Sequence, residues 1–185
     1  MRPVPLLSLA TAVPSYCIAQ DEAKQLAERL WSGRPALFQR LGGVFGNSGV
    51  AERQLVAPAD WYASPRGWAE RNGAERLFEE AARGALERAG LAASDMDGIV
   101  TVSTTGIATP SLEARVAGRM GFRADVRRVP LFGLGCAGGV SGLATAARLA
   151  AAEPRTRWLL VTVETCSISI RLDSDDPAAL VATAL

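Results

Sequence analysis

The chain has 185 residues, of which 49% are hydrophobic and 21% are charged, and its formal net charge is +1. These proportions are typical of a soluble α/β globular domain and argue against nucleic acid or an anionic membrane surface as a partner. No apolar run approaches the ~20 residues of a membrane span. The three cysteines are scattered, with no CxxC pair, and the chain contains no histidine. We therefore expect no disulfide framework, no metal, no bound cofactor and a reducing, cytoplasmic compartment.

The N-terminal third contains one apolar run and one helical pattern. Residues 6–13 form an apolar run that ends at Pro14 and predicts the first strand. Residues 21–31 have apolar side chains at helical spacing, and Gly33 is placed to end that helix. Residues 33–72 are rich in glycine, proline and isolated aromatics, which predicts irregular structure with short helical turns.

The middle of the chain has a strong helical signal followed by a strand. Residues 74–89 place apolar side chains on one face, and Gly90 follows at the position where helices commonly end. Residues 99–103 are a short β-branched run typical of a strand. Pro110 suits the first turn of the next helix, with Thr109 as its cap.

The C-terminal third alternates strand and helix patterns. Residues 126–132 and 158–163 predict strands, and residues 137–152 predict a helix of small side chains. A last helix is expected from Asp176 to the end of the chain. This alternation favours an α/β fold with a mostly parallel sheet and helices on both faces.

Cys136 lies in the most informative segment, residues 131–142, with the sequence LFGLGCAGGVSG. A strand, a glycine turn and a helix in that order place the sulfur at a helix N-terminus, where unpaired N–H groups stabilise a thiolate. Such a thiol is suited to acyl transfer, since the glycines let a substrate approach the backbone. The residues alone leave an alternative open, in which Cys136 is a small buried apolar residue.

The same segment resembles the nucleophile motif of the type III polyketide synthases, the chalcone synthase-like branch of the thiolase superfamily. Its Gly135–Gly139 form is more similar to bacterial members than to plant members. The resemblance implies the N-terminal half of a thiolase-like fold of layered αβαβα architecture. Residues 1–185 would form that N-terminal domain, and the C-terminal half is absent from this chain.

The resemblance also implies an activity. Members are acyltransferases that condense malonyl-CoA, with loss of CO₂, onto an acyl-CoA starter held as a cysteine thioester. Coenzyme A thioesters are the substrates, the enzyme is a homodimer, and a resorcinol, phloroglucinol or pyrone is the expected class of product. In the family, a histidine and an asparagine from the C-terminal half complete the site, and this chain has no histidine.

Two further segments match cavity residues of the family. In residues 102–110, Thr104 and Thr105 would line the initiation cavity, and Thr109 would reach across the dimer into the partner's cavity. The turn chemistry alone favours a polar turn and a helix cap. In residues 164–171, a strand with one face on the elongation cavity is implied. The cavity residues that the resemblance implies are Glu164, Cys166 and Ser169. The alternative is an ordinary strand in which Cys166 is a small buried residue.

Two charged features are weaker signals. Arg40 matches a family position that contacts the phosphates of coenzyme A, although a solvated surface arginine is the usual state of this residue type. The acidic residues 173–176 have a spacing that suits a cation, but a loop with Asp176 as helix cap is the simpler interpretation.

Three functional hypotheses remain open from the sequence. The chain is part of a polyketide synthase, or of a ketoacyl-carrier-protein synthase of the initiating type, or it is a non-catalytic half-domain that acts only in dimerisation. The segments that begin at Thr104 and at Glu164 favour the polyketide synthases. Alone, a nucleophile without a base is not expected to condense acyl groups.

Overall fold

The computed structural model describes residues 3–63, 73–106 and 108–169. The chain divides into two compact units. The sheet unit comprises the described parts of residues 1–12 and 73–164, and the hairpin unit those of residues 13–72 and 165–185. The helices and strands in chain order are β1 (Tyr16–Ala19), α1 (Gln20–Leu30), α2 (Pro35–Leu41), α3 (Val44–Asn47), β2 (Glu52–Leu55), α4 (Ala74–Ala89), β3 (Gly98–Ser103), α5 (Leu112–Met120), β4 (Arg127–Phe132), α6 (Gly138–Ala152) and β5 (Trp158–Thr162).

The sheet unit contains three parallel strands in the order β4-β3-β5. The middle strand β3 is buried at every position. Val102 of β3 lies opposite Leu131 of β4 and Thr162 of β5. Because parallel strands all end at the same edge, the loops after β3, β4 and β5 meet there.

Helices α4 and α5 cover one face of this sheet. Helix α4 ends at Gly90 and α5 at Gly121, whose φ angles of 65° and 80° require glycine's conformational freedom. Phe78, Ile99 and Val116 are wholly buried between the helices and the strands. The predicted α/β arrangement with a covered parallel sheet is confirmed on this face.

Helix α6 covers the other face at very short range. A Cβ built on Gly142 would lie 2.6 Å from Cγ2 of Val102, and one built on Gly138 would lie 2.5 Å from Cγ1 of the same residue. Side chains at these two positions would push the helix away from β3, so glycine sets how closely the start of α6 approaches the sheet.

Asp97 joins the amino ends of all three strands. Its carboxylate accepts hydrogen bonds from the Arg157 N–H at 2.9 Å and from Nη2 of Arg123 at 3.2 Å. Its backbone carbonyl accepts the N–H of Arg127 at 3.1 Å. The Arg157 N–H, followed by the Arg123 guanidinium, lowers the pKa of the Asp97 carboxyl.

The hairpin unit has its own small core. Strands β1 and β2 pair antiparallel, with Tyr16 opposite Leu55. Trp31, Phe38 and Phe45 are buried together beside α1. The side chain of Gln20 donates to the Phe45 carbonyl at 2.9 Å, which fixes the start of α1 to α3.

The prediction of a first strand over residues 6–13 is wrong. These residues form no strand, and Leu6 is 74% exposed. Side chains rather than a neighbouring strand bond this segment to α4: the Ser8 hydroxyl donates to the Ala85 carbonyl at 2.7 Å, and Arg88 donates to the Leu9 carbonyl at 2.6 Å. The apolar run therefore reflected composition and not strand pairing.

Other boundaries shift by small amounts. Helix α5 begins at Leu112 after Ser111, and not at Pro110 with Thr109 as its cap. Strand β2 was not predicted, because its four residues lie in a stretch dominated by turn formers. The predicted last helix from Asp176 lies outside the described residues. No helix in the described ranges is long and apolar enough to cross a membrane.

The close packing of α6 leads to a prediction on stability. Gly142→Ala should lower the free energy of unfolding by about 1–3 kcal/mol, because the added methyl overlaps the stiff side chain of Val102. Gly139→Ala is the matched control on the same helix, since nothing lies within 4 Å of its added Cβ. The control should be neutral or should raise stability by up to about 1 kcal/mol. Urea denaturation of both variants gives the comparison, and equal effects would contradict the packing argument.

Asp97 leads to a prediction on pH dependence. Its folded-state pKa is lowered, so its contribution to stability is present above the unfolded pKa and is lost as the pH falls through the folded pKa. Asp97→Asn should therefore reduce the slope of unfolding free energy against pH between about pH 5 and pH 3. Asp60→Asn serves as the control for the loss of one exposed carboxylate outside this hydrogen-bonded group. An unchanged slope for Asp97→Asn would contradict the prediction.

Candidate active site

Cys136 lies in a single helical turn, Gly135–Ala137, between the end of β4 and the start of α6. The predicted order of strand, glycine turn and helix is confirmed. Its side chain is exposed, which contradicts the alternative of a buried apolar residue. Gly133 and Gly135 have φ angles of 78° and 54°, a region that other residues rarely adopt. The two glycines thus reverse the chain so that the thiol lies one turn before α6.

Apolar side chains surround Cys136 along the chain. Phe132 and Leu134 precede it and Val140 and Leu143 follow it, and all four are large and exposed. The first turn of α6 begins two residues later, and the N–H of its first residue, Gly138, donates to the Gly135 carbonyl. An exposed thiol flanked in the sequence by apolar residues suits reaction with an acyl thioester.

Thr104 connects the loop after β3 to the turn of Cys136. Its hydroxyl oxygen Oγ1 accepts a hydrogen bond from the N–H of Gly135 at 3.0 Å. Thr104 is the first residue after β3, and Gly135 directly precedes the cysteine. The family resemblance implied that Thr104 lines the initiation cavity, and the structure brings its loop and the turn of Cys136 together.

Glu164 connects the same loop to the end of β5. Its Oε1 accepts the N–H of Thr104 at 2.7 Å, and its Oε2 accepts the N–H of Thr105 at 2.9 Å. The Thr105 hydroxyl also donates to Oε2 at 2.5 Å. Three of the predicted site residues, Thr104, Thr105 and Glu164, therefore form one hydrogen-bonded group at the carboxyl edge of the sheet.

A buried bond shapes the loop beneath this group. The Ser103 hydroxyl accepts the N–H of Gly106 at 2.9 Å. A Cβ on Gly106 would lie 2.8 Å from the Ser103 oxygen. A glycine at position 106 thus allows the loop to turn tightly under Thr104 and Thr105.

Glu113 is a buried carboxylate beside β3 that the sequence analysis missed. It is wholly buried in α5, and Ser111 donates its hydroxyl to Oε1. Among the described residues, neither its Oε2 nor the buried Oγ1 of Thr101 has a hydrogen-bond partner. Both residues line a cavity of about 110 Å³ with Pro130 and Phe132. The available signal was a glutamate among Leu112, Val116 and Met120 on the apolar, buried face of α5.

The other predicted residues are not brought into this group. Thr109 is in the sheet unit and is exposed. Arg40 is exposed in the last turn of α2, and Cys166 and Ser169 lie in a short helical turn, all three in the hairpin unit. The predicted strand after Glu164 is therefore wrong over Cys166–Ser169. Cys166 is also exposed, contrary to the alternative that it is buried.

A metal centre is not indicated by the described part of the chain. It contains no group of three or more Cys, Asp or Glu side chains placed to hold an ion. The acidic residues 173–176, for which a cation site was considered, lie outside the described residues.

Comparison with known proteins gives consistent matches. The family of chalcone and stilbene synthases, N-terminal domain, matches residues 69–185. A 1,3,6,8-tetrahydroxynaphthalene synthase of Streptomyces peucetius subsp. caesius is 40% identical, with 100% of this chain and 50% of that protein covered. A phloroglucinol synthase of Pseudomonas fluorescens is 30% identical over 93% of this chain and 50% of its own length. The chain thus spans about half the length of these relatives.

A solved structure shows the same backbone arrangement. The crystal structure of 1,3,6,8-tetrahydroxynaphthalene synthase from Streptomyces coelicolor A3(2), a bacterial type III polyketide synthase, matches with a TM-score of 0.87 and 30% identity. The match covers 96% of this chain and 53% of that protein.

The turn of Cys136 leads to a prediction on backbone strain. Gly135→Ala should lower the free energy of unfolding by roughly 1–2 kcal/mol, because a Cβ disfavours the left-handed conformation at this position. Nothing lies within 4 Å of that Cβ, so packing adds no cost. Gly135→Asn should cost less, since asparagine adopts this conformation more readily. Chemical denaturation measures both, and a larger loss for asparagine would contradict the argument.

Proposed function

The chain belongs to the chalcone and stilbene synthase family, and from this premise we propose that it supplies the nucleophile of a type III polyketide synthase. The family match and the thiolase-like fold predicted from the sequence are confirmed. The solved structure that this chain resembles is by its name a bacterial type III polyketide synthase, and two relatives are named tetrahydroxynaphthalene synthase and phloroglucinol synthase. The observation that carries the proposal is the exposed thiol of Cys136 at the start of α6, at the carboxyl edge of a parallel sheet.

Cys136 would carry the acyl chain. Its thiolate attacks the carbonyl carbon of an acyl-CoA, a carbon–sulfur bond to Sγ forms, and the bond to the coenzyme A sulfur breaks. The coenzyme A thiolate takes up a proton and leaves. Malonyl-CoA then loses CO₂, and the resulting enolate attacks the acyl thioester. This step forms a carbon–carbon bond and returns the Cys136 thiolate.

The remaining family positions would surround this chemistry. Thr104, Thr105 and Thr109 are proposed for the initiation cavity, the last of them reaching into the partner of a homodimer. Arg40 is proposed for the phosphates of coenzyme A. The residues proposed for the elongation cavity, whose bulk sets the length of the polyketide, are Glu164, Cys166 and Ser169.

A complete site requires more than this chain. The chain has no histidine, and in the proposed mechanism a histidine and an asparagine from a C-terminal half bind the developing oxyanion. Residues 1–185 would then act as the N-terminal domain of a cytoplasmic enzyme with no bound cofactor. The chain alone is expected to accept an acyl group at most and not to condense two.

The test is covalent labelling of Cys136. The chain is incubated with a short acyl-CoA, alone and with the C-terminal half of the Streptomyces peucetius relative, and intact-mass spectrometry detects the thioester. We expect acylation in both mixtures, and condensation with CO₂ release only in the second. Cys136→Ala should abolish the mass increase, while Cys17→Ala, at an exposed thiol of β1, should keep it.

Two outcomes would contradict the proposal. Absence of Cys136 acylation even with the C-terminal half would indicate a non-catalytic half-domain. Acyl transfer that depends on an added carrier protein would indicate a carrier-protein synthase instead.

A further inference from the structure

We propose that Glu164 is a positioning residue that fixes the backbone turn of Cys136 through Thr104. The resemblance to known synthases places Glu164 on a cavity wall, where its bulk would matter. The hydrogen bonds in this chain assign it a different task, which is to hold the nucleophile turn in place. The proposed function is needed for the statement that Cys136 is a nucleophile. It is not needed for the statement that Glu164 orders the turn.

The first step is the binding of the loop after β3 by the Glu164 carboxylate. Two successive N–H groups, of Thr104 and Thr105, donate to its two oxygens at 2.7 and 2.9 Å. The Thr105 hydroxyl adds a third donor. An ionised carboxylate only accepts hydrogen bonds and forms stronger ones than a neutral group, so it suits three converging donors.

The partners of Glu164 distinguish this role from a surface ion pair. No arginine or lysine within the described ranges forms a salt bridge with Glu164. By contrast, the carboxylates of Glu75, Glu79 and Glu153 in the same unit bind arginine side chains. The carboxylate of Glu164 is therefore directed at loop backbone 60 residues away in sequence.

The second step is the bond from Thr104 to the turn of Cys136. Because the N–H of Thr104 is bound to Glu164, the backbone of Thr104 is fixed, and with it the origin of the Thr104 side chain. The Thr104 hydroxyl oxygen then accepts the N–H of Gly135 at 3.0 Å. Glu164 thus reaches the residue before the nucleophile through one intermediate residue, and it bonds to neither Gly135 nor Cys136 itself.

The third step is the effect on the sulfur. Glycine has the widest backbone freedom of any residue, and Gly135 has a φ angle of 54°. Without a bond to its N–H, the Gly135 peptide can rotate and change the direction of the Cys136 side chain. Nucleophilic attack depends strongly on the alignment of the reacting atoms. The link from Glu164 would therefore act on reactivity through orientation.

Four variants of the full chain test this inference. Thr104→Val has the same shape but removes the acceptor, whereas Thr104→Ser keeps the hydroxyl. Glu164→Gln replaces one carboxylate oxygen with an NH₂ group. This donor would face a backbone N–H, which is also a donor, so one hydrogen bond is lost. Glu153→Gln is the matched control, because Glu153 is an exposed glutamate of the same unit that binds Arg127 at 2.6 Å.

Two measurements separate positioning from general damage to the fold. The first is hydrogen–deuterium exchange at the Gly135 amide, and the second is the rate of Cys136 alkylation by iodoacetamide, followed by peptide mass spectrometry with Cys17 as internal reference. Thr104→Val and Glu164→Gln should each speed exchange at Gly135 by roughly tenfold and lower the Cys136 rate relative to Cys17. Thr104→Ser and Glu153→Gln should leave both values unchanged.

The double variant Thr104→Val with Glu164→Gln gives the decisive comparison. If Glu164 acts through Thr104, the double variant should match the single variants instead of adding their effects. Additive effects, or normal Gly135 exchange in a folded Glu164→Gln protein, would overturn the inference. Neither measurement uses an acyl-CoA. Failure of acylation together with altered Gly135 exchange would therefore remove the proposed function and leave the positioning role.

Discussion

Parallel pairing of β3 with both β4 and β5 is the constraint on which the rest of the structure depends. It carries the three following loops to one edge of the sheet, so that residues far apart in the sequence come within hydrogen-bond distance. Cys136 follows β4, Thr104 follows β3 and Glu164 lies two residues after β5. Because β3 is buried on both faces, this edge is supported by the core of the unit, and a rigid scaffold carries the loops.

The two faces of the sheet contribute to the site in different ways. On one face, α6 approaches β3 through glycines and starts immediately after the cysteine turn, so packing sets the position of the helix N-terminus. On the other face, α5 buries Glu113 beside the same strand. Hydrogen bonds across the sheet edge then align the loops over this packed base. Packing sets the position of the helix, and the polar bonds set the orientation of the turn.

Local sequence patterns predicted the elements whose signals are themselves local. Helix α4 was predicted with its bounds, because apolar periodicity and a terminal glycine agree there. The strand predicted over residues 6–13 is wrong and strand β2 was missed, because strand pairing depends on a partner that composition does not reveal. For the site, the position of Cys136 followed from its flanking glycines. The bonds from Glu164 to Thr104 and from Thr104 to Gly135 could not be predicted, because they join loops through the geometry of the sheet.

The position of Glu164 at the end of the sheet unit has a consequence for protein synthesis. A chain leaves the ribosome from its N-terminus, so Thr104 and Gly135 emerge before β5 and Glu164. The cysteine turn is thus synthesised without the carboxylate that orders it. Strand β5 must first pair with β3 to bring Glu164 to the loop. A nascent chain that stops before β5 would carry the thiol on an unordered turn, and the reactive geometry would be acquired only as the unit is completed.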